Sequence, residues 1–243
     1  MIHTRILVAK NPDEVGKLAA DVFEDVLTRK PAGVIGLATG STPLPLYREL
    51  IKREKEGKID FSKVRSANLD EYKGLAPDHP QSYRKFMQDN LLDHISIKPE
   101  NTIVPLGLAE DVQAMCEAYE AKIEEWGGVD LQLLGIGHDG HIGFNEPDTY
   151  FPGMTHEVKL TDMTIDANKR FFDSIDDVPR AAFTMGIGTI MAEKKIVLVV
   201  TGADKKEILK KTFWGPVDPQ VPASILQFHP DVVLICDEAA YPL

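Results

Sequence analysis

The chain has 243 residues, 43% of them apolar, enough to bury the core of one α/β domain of ordinary size. Lys and Arg total 27 against 38 Asp and Glu, a formal charge of −11, which excludes nucleic acid and anionic membrane as expected partners. A small anionic substrate is still compatible with that charge, provided positive groups cluster locally. Cys116 and Cys236 lie far apart and fit two reduced thiols rather than a disulfide framework. The opening MIHTRILVAK holds too short an apolar run for a secretion signal, and the longest apolar runs are strand-sized, so the expectation is a cytoplasmic protein.

In chain order, RILVA (5–9) reads as a first strand. Asn11 comes next as an N-cap with Pro12 at the first helical position, and Val15, Leu18, Ala19, Val22 and Val26 keep helical spacing. GVIGLA (33–38) reads as a buried strand, then a helix over 43–55, then a strand in KVRSANL (63–69). Helices are expected over 81–92 and 109–126, a strand in LQLLGI (131–136), and another in KIVLVV (195–200). A helix over 205–213 precedes the last strand, DVVLIC (231–236). The alternation predicts an α/β fold: a single Rossmann-like domain over 1–243, with an open, mostly parallel sheet and helices on both faces. Residues 148–179 are polar and weakly periodic, and read as a lid or an excursion from the sheet.

In an open parallel sheet, ligands bind beyond the carboxyl ends of the strands. The residues just past each predicted strand are therefore informative. The second strand runs into TGSTP (39–43), whose free N–H groups and hydroxyls would cradle a phosphate at a helix start; a simple capped turn is the alternative. The third runs into Asp70 and Glu71, a general base at the sheet edge or a helix cap. The next runs into GIGHDGHIGFNEP (135–147), which packs Asp139, His141 and Glu146 among glycines. Carboxylates orient an imidazole and raise its basicity, and glycines permit close backbone approach, so the loop reads as a proton-transfer device. Metal binding and a structural glycine turn are the alternatives; for a metal, no third ligand stands at zinc spacing. Lys205, in TGADKK, and Arg170, in NKRFF, are candidate phosphate cations or solvated charges. His138 reads as a loop histidine without a task.

GLATGSTPLPLY, NLDEYKGL, DHPQSY, GIGHDGHIGFNEP and LQFHPDVVLICDE together resemble the glucosamine-6-phosphate deaminase family, in matching order from about residue 33 to 238. The resemblance implies conversion of glucosamine 6-phosphate to fructose 6-phosphate and ammonia, without metal or organic cofactor. It makes Asp70 the proton carrier, His141 the ring-opening histidine, and Asp139 and Glu146 its acidic companions. Thr39, Gly40, Ser41, Thr42, Arg170 and Lys205 become the substrate-binding set. Larger family members are hexamers activated by N-acetylglucosamine 6-phosphate. Here His156 and Val158 stand where those carry basic residues, and the sequence ends at Leu243 with CDEAAYPL, which argues against that activation and leaves monomer or homo-oligomer open. The rival readings are a hydrolase like 6-phosphogluconolactonase, which shares a similar loop, and a non-catalytic sugar-phosphate sensor.

Overall fold

β-branched and apolar runs form the strands of a computed structural model that describes residues 4–243. The strands are β1 (Thr4–Ala9), β2 (Val34–Leu37), β3 (Arg65–Asn68), β4 (Asp70–Tyr72), β5 (Thr102–Ile103), β6 (Leu131–Leu134), β7 (His156–Lys159), β8 (Ala181–Thr184), β9 (Ile196–Val200) and β10 (Val232–Asp237). The helices are α1 (Pro12–Arg29), α2 (Leu44–Lys55), α3 (Tyr83–Asn90), α4 (Val112–Glu125), α5 (Asp162–Asn168), α6 (Ile187–Met191) and α7 (Lys206–Trp214). The expectation about the first residues extends onto 1–3, outside the described residues.

Seven strands make one parallel sheet in the order β1-β10-β9-β6-β2-β3-β5. β2, β6, β9 and β10 are buried along their whole length, which is why they read as unbroken apolar runs and not as alternation. The expected open parallel sheet is the fold observed.

Local chemistry sets the helix starts. The Asn11 side chain accepts the Glu14 N–H at 3.0 Å, so α1 begins at Pro12. Asp111 caps α4 through the Ala114 N–H at 3.0 Å, which starts that helix three residues later than the apolar pattern suggests. Ser82 caps α3 through the Lys85 N–H at 3.0 Å in the same way.

A second, antiparallel sheet of order β4-β8-β7 is not anticipated by the sequence pattern. Its strands have three or four residues, too few for periodicity to mark them. The 148–179 segment leaves the main sheet, supplies β7, and carries α5. Leu160, Ile165 and Val178 from it pack with Tyr72, Phe144 and Ala182 into a small core of their own. Among the described residues, no helix is long and apolar enough to cross a membrane.

Candidate active site

β9, β6, β2 and β3 are consecutive neighbours in the sheet. The four polar turns singled out in the sequence therefore emerge side by side along one rim. The chain leaves β2 toward β3 but leaves β6 toward β9, so the rim straddles the point where the strand order reverses, where ligands bind in such sheets.

Asp70 is the first residue of β4, paired antiparallel to Thr184 of β8. It is buried, with 7% of its surface exposed. Burial, reinforced by the neighbouring Glu71 charge and opposed by His141, pushes its carboxyl up to about 8. Glu71 has a different task. Its Oε1 accepts the N–H groups of Tyr72 at 2.8 Å and Tyr83 at 2.9 Å, and its Oε2 accepts that of Arg84 at 2.9 Å. Glu71 thus ties β4 to the start of α3 and holds the Asp70 backbone in place. Tyr72, Tyr83 and Phe144 wall this corner, with Tyr83 and Phe144 stacked at 5.9 Å.

The loop 135–147 is held at several points. Asn145 is buried and donates Nδ2 to the carbonyls of Ile142 and Met185, both at 2.8 Å. The Phe144 N–H donates to Thr184 Oγ1 at 3.0 Å, and the Ala223 N–H donates to the Gly140 carbonyl at 2.8 Å. Gly143 has φ +58°, and a Cβ there would lie 2.8 Å from Thr184 Oγ1 and 3.7 Å from Asp70 Oδ2. The loop backbone thus runs directly past the Asp70 carboxylate.

His141 Nδ1 lies 2.8 Å from Asp139 Oδ1 and 3.4 Å from Glu146 Oε2. Asp139 Oδ1 also accepts the His141 N–H at 3.1 Å. Burial would lower the imidazole pKa, but the two carboxylates outweigh it and carry it up to about 9. For Asp139, burial raises the pKa but the bonds from His141 outweigh it, holding the carboxyl well below the usual carboxylate range. Both carboxylates face Nδ1 and not Nε2.

The sequence spacing offers no third metal ligand; the fold corrects this by bringing Glu146 beside Asp139 and His141, with one ligand atom from each within 4.8 Å. The 2.8 Å between Nδ1 and Asp139 Oδ1 is a charge-pair distance. Two ligands of one tetrahedral zinc, each about 2.0–2.2 Å from it, stand about 3.3 Å apart. Asp139 and His141 stand closer than two such ligands, although Nδ1 makes no aligned hydrogen bond among the described residues.

Lys205 is half-buried and donates Nζ to the Ile136 carbonyl at 2.9 Å, which sets it against the 135–147 loop. Burial lowers its pKa, Asp204 and Asp139 raise it, and the charge of Arg170 lowers it again. Arg170 is exposed, with its guanidinium 4.7 Å from the centre of the Phe171 ring. Thr39, Gly40, Ser41 and Thr42 form the turn after β2, with Gly40 at φ +99° and Ser41 exposed.

Several residues escaped sequence reasoning. Thr164 of α5 donates its hydroxyl to Glu146 Oε1 at 2.6 Å, and Thr161 reaches the same oxygen at 3.4 Å. Thr184 meets Asp70 only through strand register. His138, without a task in the sequence, lies 2.7 Å from Asp204 Oδ2 and so bridges the loop to the Lys205 turn. No sequence signal marks the two threonines; the N-cap role of Thr161 is seen only in the fold.

Residues 10–234 match the profile of the family described as glucosamine-6-phosphate isomerases/6-phosphogluconolactonase. The chain belongs to this family. A glucosamine-6-phosphate deaminase of Clostridium perfringens is 53% identical over 239 residues, covering 98% of this chain and 99% of that protein. A solved monomeric glucosamine-6-phosphate deaminase superposes with a TM-score of 0.95 at 42% identity, over 97% of this chain and 98% of the other. The 6-phosphogluconolactonase of Thermotoga maritima shares the fold, with a TM-score of 0.77 at 20% identity over 97% of this chain and all of its own. Within the family, this chain therefore resembles deaminases in sequence and lactonases in fold alone.

Proposed function

We propose that this chain converts glucosamine 6-phosphate to fructose 6-phosphate and ammonia, a step of amino-sugar catabolism. The observation that carries the reading is Asp70: one buried carboxyl beside the loop that holds His141, lifted by burial and not fixed by a salt bridge. Moving a proton between adjacent carbons needs such a group. Opening a lactone does not. The 53% identity to a deaminase over nearly the whole chain supports the same choice.

The mechanism is built from this geometry. A pyranose opens when its ring oxygen gains a proton and the O1 hydroxyl loses one. With a pKa of about 9, His141 is protonated at neutral pH and can donate from Nε2, while Asp139 and Glu146 stabilise its charge. The open chain then loses its C2 proton to the Asp70 carboxylate while the C2 ammonium gives one of its protons to O1, which leaves a neutral enolamine. Asp70 must be ionised for this, and the substrate ammonium favours the carboxylate as it binds. Asp70 then returns its proton to C1, and the enolamine becomes an iminium at C2. Water adds there, the C–N bond breaks, and ammonia leaves, so the last step is a hydrolysis. Thr39 to Thr42, Lys205 and Arg170 hold the phosphate, and that remote binding orients the reacting carbons. The 148–179 segment, through α5 and Arg170, acts as the lid over this cleft.

The test is incubation with glucosamine 6-phosphate, with and without chelator, scoring ammonia and fructose 6-phosphate, beside a parallel assay on 6-phosphogluconolactone. Ammonia release that persists with chelator is expected. Lactone hydrolysis without ammonia would overturn the reading, and binding without either product would make the chain a sensor. Loss of ammonia release with chelator would instead assign a metal to Asp139, His141 and Glu146.

A further inference from the structure

Glu146 is divided between two partners. Its Oε2 faces the His141 ring at 3.4 Å and makes no aligned hydrogen bond among the described residues. Its Oε1 is covered from the other side by α5, through the Thr164 hydroxyl at 2.6 Å. Thr164 is itself buried, with 3% of its surface exposed. Behind it stands Thr161, the N-cap of α5, whose Oγ1 is 3.2 Å from Thr164 Oγ1 and receives the Thr164 N–H at 3.3 Å. Two hydroxyls thus lead in series from the surface of α5 to the carboxylate that faces the catalytic imidazole.

We infer that Thr164 is a positioning residue for the deamination, fixing the Glu146 carboxylate against His141 only while α5 is docked. This rests on the proton-transfer role proposed for His141. A carboxylate with one oxygen bonded by a short hydroxyl cannot rotate freely about its terminal torsion. Its second oxygen is then kept on the imidazole side, although nothing else there bonds it. A charged acceptor makes this bond stronger than one between neutral groups. If α5 lifts away, Oε1 loses its donor inside a buried site, and the carboxylate must turn or take up a proton.

The packing supports a link between segment and loop. Ile165, next to Thr164, sits in the same small core as Phe144 from the loop and Tyr72 from β4. Phe172, beyond α5, meets Tyr72 edge-on at 5.9 Å. Docking of α5 therefore brings the hydroxyl to Glu146 and the apolar contacts to Phe144 in one movement. The remaining chargeable groups around His141 are Asp139 from its own loop and Asp70 from β4, with Lys205 beyond Asp139.

Thr164→Val keeps the branched shape and removes the hydroxyl; Thr164→Ser keeps the hydroxyl and removes a methyl group. For Thr164→Val, kcat for glucosamine 6-phosphate should fall roughly tenfold, in line with one hydrogen bond to a charged group, while KM changes less than about twofold. The His141 titration, followed by NMR in the ligand-free protein, should move to lower pH, and the basic limb of the kcat profile should move with it. Thr164→Ser should restore both. Parental kcat and an unmoved titration in Thr164→Val would overturn the inference, and so would equal impairment by serine, which would make the threonine a packing residue. Were the parent protein to release no ammonia, the function proposal would fail, and the NMR titration would still decide whether Thr164 acts on His141 through Glu146.

Discussion

The imidazole of His141 lies across Gly137 so closely that a Cβ on Gly137 would overlap the ring. Gly137 does not have the positive φ of Gly140 or Gly143, so its backbone would accept alanine. Its need for glycine comes from the ring alone. Gly137→Ala should therefore push the imidazole off Asp139 and Glu146 without unfolding the loop. Ammonia release should drop roughly a hundredfold, the scale of losing one positioned acid–base group. Inhibition by inorganic phosphate should stay near the parental value, since Lys205 and the 39–42 turn are untouched. Unchanged ammonia release would show that the ring has another place to go.

Burial of Asp70 makes a prediction about stability. Its carboxyl titrates near 3.8 in the unfolded chain and at about 8 in the folded one. Between those values the unfolded chain has already released a proton that the folded chain retains, so stability falls as pH rises through this window. An amide in place of the carboxyl has no proton to lose. Asp70→Asn should then melt several degrees above the parent at pH 7 and match it near pH 4, while releasing no ammonia at either pH. Thermal melts at the two pH values check this. A variant less stable at pH 7 would mean that Asp70 is held ionised by a partner.

Six strands of the main sheet were legible because strands buried on both faces need continuous apolar runs, as in the IVLVV of β9, and helix starts carry caps such as Asn11; the two-residue edge strand β5 was too short to show. The meeting of Asp139, His141 and Glu146 was legible because the three are close in sequence and spaced by glycine. The second sheet was not, because β4 has three residues and owes its pairing to β8, more than a hundred residues later. For the same reason nothing in the sequence links Thr184 to Asp70, or Thr164 to Glu146. These contacts depend on where the 148–179 segment returns, which no local pattern encodes. Asp204 likewise shows in the sequence only as a neighbour of Lys205; its pairing with His138 is a product of the fold.

Lys205 combines a half-buried ammonium with a single acceptor among the described residues, the Ile136 carbonyl. A bound phosphate would take up the remaining donors and restore the charge that burial disfavours. Lys205→Met keeps the length of the side chain and removes the charge. KM for glucosamine 6-phosphate and the inhibition constant of inorganic phosphate should both rise roughly 10- to 100-fold, as for loss of a charge-assisted hydrogen bond. kcat should change less, because His141 and Asp70 stay in place. An inhibition constant left at the parental value would remove Lys205 from the phosphate site.

Gly36 of β2 faces Gln132 of β6, where the two strands pair in parallel, and a Cβ on Gly36 would overlap the Gln132 amide. Gln132 is fully buried, donates Nε2 to the Leu133 carbonyl at 2.8 Å, and leaves Oε1 without a hydrogen-bond partner among the described residues. The amide therefore lies folded over the missing side chain in the centre of the sheet. Gly36→Ala should cost about 1–3 kcal/mol, because a core packed this closely cannot absorb a methyl group. In a Gln132→Ala background the methyl would fill vacated space, so the same substitution should cost much less. Denaturant unfolding of the parent, both single variants and the double variant measures this coupling. Costs that simply add would show that the two positions do not compete for one volume.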